Sequence, residues 1–169
     1  ARNLRENLLA MLALAKSAGV PAVVCTTASN EAGLAPLGQD DAVVEDSPTQ
    51  TLEAAQAAVQ RAPRHALARY RLGQAWQVAG ARVEARQAFL DARDLDTMPW
   101  RPTTATEQAI RDAAAEAGAT LCDIAEVFRS ESPAGATGWE LVDDHVHLSV
   151  QGQARAARAM IESMAALAP

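Results

Sequence analysis

Apolar residues recur at helical spacing over residues 3–18, where Leu4, Leu8, Met11, Leu12 and Ala15 fall on one stripe, and Gly19 stands where a helix ends. Residues 20–26 (VPAVVCT) then form a short unbroken apolar run, the mark of a strand covered on both faces. Residues 27–39 carry Asn30, Gly33, Pro36 and Gly38 and read as an irregular loop. The same order returns late in the chain. Residues 104–117 make an amphipathic helix, Gly118 closes it, and residues 119–123 (ATLCD) are a second strand. A last helix, about 150–167, follows a polar loop that holds His145 and His147. Helices alternating with short buried strands predict an α/β fold, a partial parallel sheet with flanking helices. Binding and catalytic groups in such folds gather at the carboxyl ends of the strands.

Between the two units lies a stretch without strand signal. Residues 49–61 and 66–94 predict three helices, separated by Ala62-Pro63 and by Gly80. Leu72, Gly73, Trp76, Gly80, Ala85, Phe89 and Ala92 fall at the spacings of a tetratricopeptide repeat. Small residues at 73 and 85 let two helices approach closely, and Trp76 and Phe89 fill the space beside them. One period back, Pro63 and Ala58 match the proline and small-residue positions, so residues 49–65 read as the second helix of a preceding repeat. Thr97 holds the later proline position, with Pro99 two residues on. The chain thus divides into a partial α/β domain, residues 1–46 and 100–169, and a helical insert, residues 47–99. The insert is either a plain helical hairpin or a surface for a protein partner.

Composition narrows the function classes. The 169 residues carry a formal net charge of −6, which argues against nucleic acid as a partner, since such proteins present a basic footprint. Neither a charged-then-apolar leader nor an apolar run of about 20 residues is present, so no membrane span is expected. Ala1 in place of an initiator methionine points to a processed product or a fragment. Lys16 is the lone lysine, and about a quarter of the residues are alanine, which favours helix and close helix packing. The cysteines, Cys25 and Cys122, each end an apolar run far from the other in sequence and read as small buried strand residues. Neither reads as a metal ligand, no cofactor is expected, and the compartment is left open.

The segment from Glu140 to Gly152 (ELVDDHVHLSVQG) carries the chemistry. Asp144-x-x-His147 is a compact way to build a general base: the carboxylate fixes the imidazole tautomer and stabilises the imidazolium, and the second nitrogen takes a hydroxyl proton. Asp143 is the alternative carboxylate if the loop register differs. A carboxylate capping a helix beside a surface histidine would give the same spacing. His145 and His147 with Asp143 and Asp144 could also meet one metal ion, but no further protein ligand is identified elsewhere.

These motifs together resemble the C-terminal part of the SGNH/GDSL hydrolases, in the branch whose hydrolase domain carries a tetratricopeptide-like insert. The resemblance runs over the helix opening at Asn3-Leu4, the strand into Thr26-Thr27 with Asn30 and Pro36 after it, and the insert ending at residues 92–96. It continues through Arg101, the strand at 119–123, and Asp144, His145, Val146, His147 and Leu148 with Gly152. It implies an SGNH/flavodoxin-like three-layer fold and ester hydrolysis through a Ser-His-Asp triad, often on acyl or acetyl groups of carbohydrate. His147 would be the base and Asp144 its orienting carboxylate. The family's Gly-Asp-Ser nucleophile block and its oxyanion-hole Gly and Asn precede the matched region, and no serine here sits in such a block. Ser29 and Cys25 are conceivable replacement nucleophiles, for which no second oxyanion donor can be named. The resemblance therefore implies a C-terminal portion of a serine esterase, inactive alone and prone to self-association through its uncovered sheet edge. The competing readings are a protein-binding module on an α/β platform and a degenerate hydrolase-like domain that binds carbohydrate or serves structure.

Overall fold

The computed structural model describes residues 1–38, 51–165 and 167. The expected domain boundary at 46/47 and Ser47 lie outside them. Within the described residues the chain is mostly helical, with seven helices around a two-stranded parallel sheet. Helix α1 (Arg2–Ser17) leads to β1 (Val23–Cys25); α2 (Leu52–Arg61), α3 (Ala66–Val78) and α4 (Arg82–Leu95) follow. Then come α5 (Thr104–Ala117), β2 (Thr120–Cys122), α6 (Ile124–Glu131) and α7 (Val150–Ala165). Among the described residues no helix is long and apolar enough to cross a membrane.

The expected elements form with trimmed ends. The strand predicted over 20–26 keeps only Val23–Cys25, because Pro21 interrupts pairing before it. Met11, placed on the inner stripe of α1, is 64% exposed; the helix packs through Leu4, Leu8 and Leu12 instead. Helix α5 has the predicted limits: Thr103 caps it through Thr106 N, and Gly118 leaves it in the left-handed region at φ 65°. Helix α6 has no counterpart in the expected elements. Its signals are Asp123, which caps the backbone N–H of Glu126, and the apolar pairing of Ile124, Val127 and Phe128.

The sheet is covered on both faces. In the register Val23↔Thr120, Val24↔Leu121, Cys25↔Cys122, side chains alternate between two layers. Val24 and Leu121 pack with Leu12 of α1 and with Ile110 and Ala114 of α5. Cys25 and Cys122 pack with Phe128 of α6, Ala156 and Ala159 of α7, and Leu141 and Leu148. This double burial is the reason both strands are continuous apolar runs. At the carboxyl ends, Thr26 Oγ1 donates to Asp123 Oδ1 at 2.8 Å and Arg111 grips the same carboxylate at 2.7 and 3.0 Å.

Between the two strands, α2, α3 and α4 are the three helices expected there. Phe89 is wholly buried and lies on Gly73: a Cβ at position 73 would stand 2.7 Å from the ring. Tyr70 meets Phe89 edge-on at 5.4 Å and donates its hydroxyl to Ala32 O, tying the hairpin to the loop after β1. Arg82 donates to the carbonyls of Arg129, Ser130 and Ser132, and Arg86 forms a forked pair with Glu126. A buried ring of four charges completes the attachment. Arg93 of α4 and Arg129 of α6 alternate with Glu31 of the β1 loop and Glu107 of α5, with side-chain exposures of 0–3%. Arg93 Nη1 donates to both carboxylates at 2.7 Å, and Arg129 Nη1 donates to Glu107 at 2.8 Å while its Nε reaches both Glu31 oxygens at 3.1 Å.

Candidate functional site

The loop between α6 and α7 turns back on itself before the last helix. Val142 and Leu148 form an antiparallel bridge, Asp143 N donates to His147 O at 2.8 Å, and Ser149 N donates to Leu141 O at 3.0 Å. Leu141 and Val142 are buried, which pins the stem to the core. Gly152 lets the first turn of α7 lie against that stem; a Cβ there would stand 2.0 Å from Leu141 O. Ser149 Oγ accepts from Gly152 N and starts the helix.

Asp144 organises the tip. Its Oδ1 accepts the backbone N–H groups of Val146 at 2.8 Å and His147 at 2.7 Å, and its Oδ2 lies 2.6 Å from His147 Nδ1. The hydrogen bonds from His147 N and Val146 N, followed by that from the imidazole, hold the Asp144 carboxyl far below the usual carboxylate range. An ionised carboxylate only accepts, so His147 carries its proton on Nδ1 and presents Nε2 as the basic nitrogen. The His147 side chain is 77% exposed. The pair is thus an oriented imidazole open to solvent, an arrangement a general base requires.

The carboxyl end of β1 supports the loop from the other side. Asn30 N donates to His145 O at 3.0 Å, and Asn30 Oδ1 accepts from Gly33 N at 2.8 Å. Arg101 donates to Asn30 O and Leu34 O and is paired in the interior with Asp96, whose carboxylate also takes the N–H groups of Leu37, Gly38 and Met98. Burial pushes the Asp96 carboxyl up, but these backbone bonds and Arg101 outweigh it and hold it below its ordinary value. Arg101 therefore forms an internal salt bridge that fixes the Asn30 loop. His145 stands farther from Asp144 than His147 does and makes no hydrogen bond to it. Its ring sits 5.4 Å from Trp100 and its Nδ1 is 3.6 Å from Asp144 Oδ1. The Trp139 indole lies on Gly33 and remains half exposed.

Of the expected site residues, Asp144 and His147 are brought into direct contact, while Asp143 is exposed and contributes its backbone. Among the described residues no group of three or more His, Cys, Asp or Glu side chains is placed to hold a metal ion. Of the described serines, all but Ser29 are engaged elsewhere. Ser17, Ser130 and Ser163 donate to carbonyls of their own helices, Ser132 donates to Glu140, and Ser149 serves α7. Ser29 is 1% exposed; its Oγ and the Asn30 Nδ2 beside it are buried without a hydrogen-bond partner among the described residues. Sequence reasoning missed Glu31, Arg93, Glu107 and Arg129, the interior charges that brace the Asn30 loop. A Glu107–Arg111 spacing of four was the one visible trace. No protein-family model, no curated protein and no solved structure matches this chain.

Proposed function

We propose that this chain is the C-terminal portion of an SGNH/GDSL-type serine ester hydrolase. In this reading it carries the base His147 and its orienting carboxylate Asp144, and the attacking serine and oxyanion hole lie on other polypeptide. The observation that supports the reading is the Asp144–His147 contact: one carboxylate sets both the loop and the imidazole tautomer, and Nε2 is left open. In the complete reaction centre His147 Nε2 takes the serine hydroxyl proton as the oxygen attacks the ester carbonyl. The imidazolium, stabilised by Asp144, then returns that proton to the leaving alcohol. Water repeats the sequence on the acyl-enzyme. The substrate class is an acyl or acetyl ester, with acylated carbohydrate as the form the resemblance favours. The two-stranded sheet, its helices on both faces and the all-α part between its strands fit an SGNH/flavodoxin-like core with a tetratricopeptide-like insert.

In this reading the nucleophile and the oxyanion hole are not supplied by the 169-residue chain, which then lacks the covalent step. Hydrolysis of a chromogenic acetyl ester by this chain should not exceed that of its His147→Ala variant. Turnover that disappears with His147→Ala in this chain would refute the divided-centre reading.

A further inference from the structure

Cys25 and Cys122, each a lone small residue when read along the sequence, are direct partners in the folded chain. Both stand at the last position of their strands, in the register Cys25↔Cys122. In-register residues of adjacent parallel strands carry their side chains on the same face, and adjacent strands are about 4.8 Å apart. A disulfide spans Cα separations of about 4.4–6.8 Å, so the backbone already has the required spacing. Both thiols are free and share one apolar cluster with Ala156 and Ala159 of α7 and with Leu141 and Leu148 of the loop that carries His147. Their exposure differs: Cys122 is 2% exposed and Cys25 is half-buried.

We propose that Cys25 and Cys122 are a redox pair that closes to an intrachain disulfide across the two strands, with a small-molecule disulfide such as oxidised glutathione as the oxidant. Cys25, the accessible thiol, loses its proton and attacks one glutathione sulfur, and one reduced glutathione leaves. Cys122 then loses its proton and attacks the Cys25 sulfur of the mixed disulfide, and the second reduced glutathione departs. Two thiols and one disulfide become one disulfide and two thiols, and no other oxidant is needed. Burial first, and then the neighbouring Cys122 through charge and hydrogen bonding, raises the Cys25 thiol above its ordinary value. Cys25 therefore rests as the protonated thiol, and the first attack is slow at neutral pH. Closure clips β1 to β2 and places the whole helical part inside one covalent loop.

The test is a titration of the folded 169-residue chain with oxidised and reduced glutathione, read by intact mass and by size on a non-reducing column. The expected product is a monomer that has lost the mass of two hydrogens, half formed at a glutathione ratio at least about tenfold more reducing in buffer than in urea. Cys122→Ser should stop at a mixed disulfide on Cys25, with Cys122→Ala as the alternative if the serine does not fold. Cys25→Ser should leave Cys122 unmodified. A disulfide-linked dimer, a mixed disulfide on Cys25 that persists in the parent chain, or the same midpoint in buffer and in urea would each overturn the proposal.

Discussion

Arg129→Met removes one corner of the buried ring of charges and leaves Glu31 and Glu107 to share Arg93, with Arg111 reaching Glu107 at 3.3 Å from the rim. The four side chains are 0–3% exposed, so the surplus negative charge has no water to relax into. Breaking such a buried pair costs about 3–5 kcal/mol, and for a chain of this size each kcal/mol lowers the melting temperature by about 2–4 °C, so a fall of roughly 6–20 °C is expected. The effect has a defined pH dependence. Burial pushes the Glu107 carboxyl up, but hydrogen bonds and charge from Arg129 and Arg93 outweigh it and hold it below its ordinary value. A carboxyl lowered on folding stabilises the native state above its unfolded pKa, and that contribution is lost as pH falls through the folded value. The gap between parent and Arg129→Met should therefore be full at neutral pH and narrow below about pH 4. Thermal melts followed by far-ultraviolet circular dichroism at several pH values measure it. Arg129→Met/Glu31→Leu restores charge balance around the Arg93–Glu107 pair and should recover part of the loss. A single variant melting within about 2 °C of the parent, or a double variant as poor as the summed singles, would refute the ring's role in fixing the helical part.

Two further outcomes follow from close approaches and from the site. Gly73→Val pushes a side chain into the wholly buried Phe89 ring, which Tyr70 also meets edge-on; overpacking of this kind costs about 1–3 kcal/mol, measurable by urea unfolding. A valine variant as stable as the parent would mean that the ring is free to move. Asp144→Asn removes the ionised acceptor that sets the imidazole tautomer, so nitrogen-15 spectra of neutral His147 should pass from the Nδ1–H form toward a mixture richer in Nε2–H. Unchanged nitrogen shifts would mean that Asp144 does not orient the ring.

The local elements were readable because their signals are local. Thr103, Gly118 and the apolar spacing set α5, and Gly73 and Phe89 at repeat spacing announced a hairpin whose glycine and aromatic ring do meet. Asp144 and His147 were readable for the same reason, since three residues of chain suffice to place one against the other. What escaped depends on long-range assembly. Glu31, Arg93, Glu107 and Arg129 look like solvated charges along the sequence, and only the packing of four elements buries them. Cys25 and Cys122 became partners through strand register, which neither run specifies alone. Helix α6 was obscured because its eight residues follow β2 without a break, with Asp123 serving both as the strand's polar end and as the helix cap.

The decisive measurement uses the longest natural polypeptide that contains this sequence, treated with a serine-directed fluorophosphonate and mapped by mass spectrometry. A single adduct on a serine in a Gly-Asp-Ser-type block outside these 169 residues, formed at a rate that collapses with His147→Ala, is the expected result. No adduct, or one formed equally fast without His147, would contradict the assignment of Asp144 and His147 as the acid–base half of an esterase.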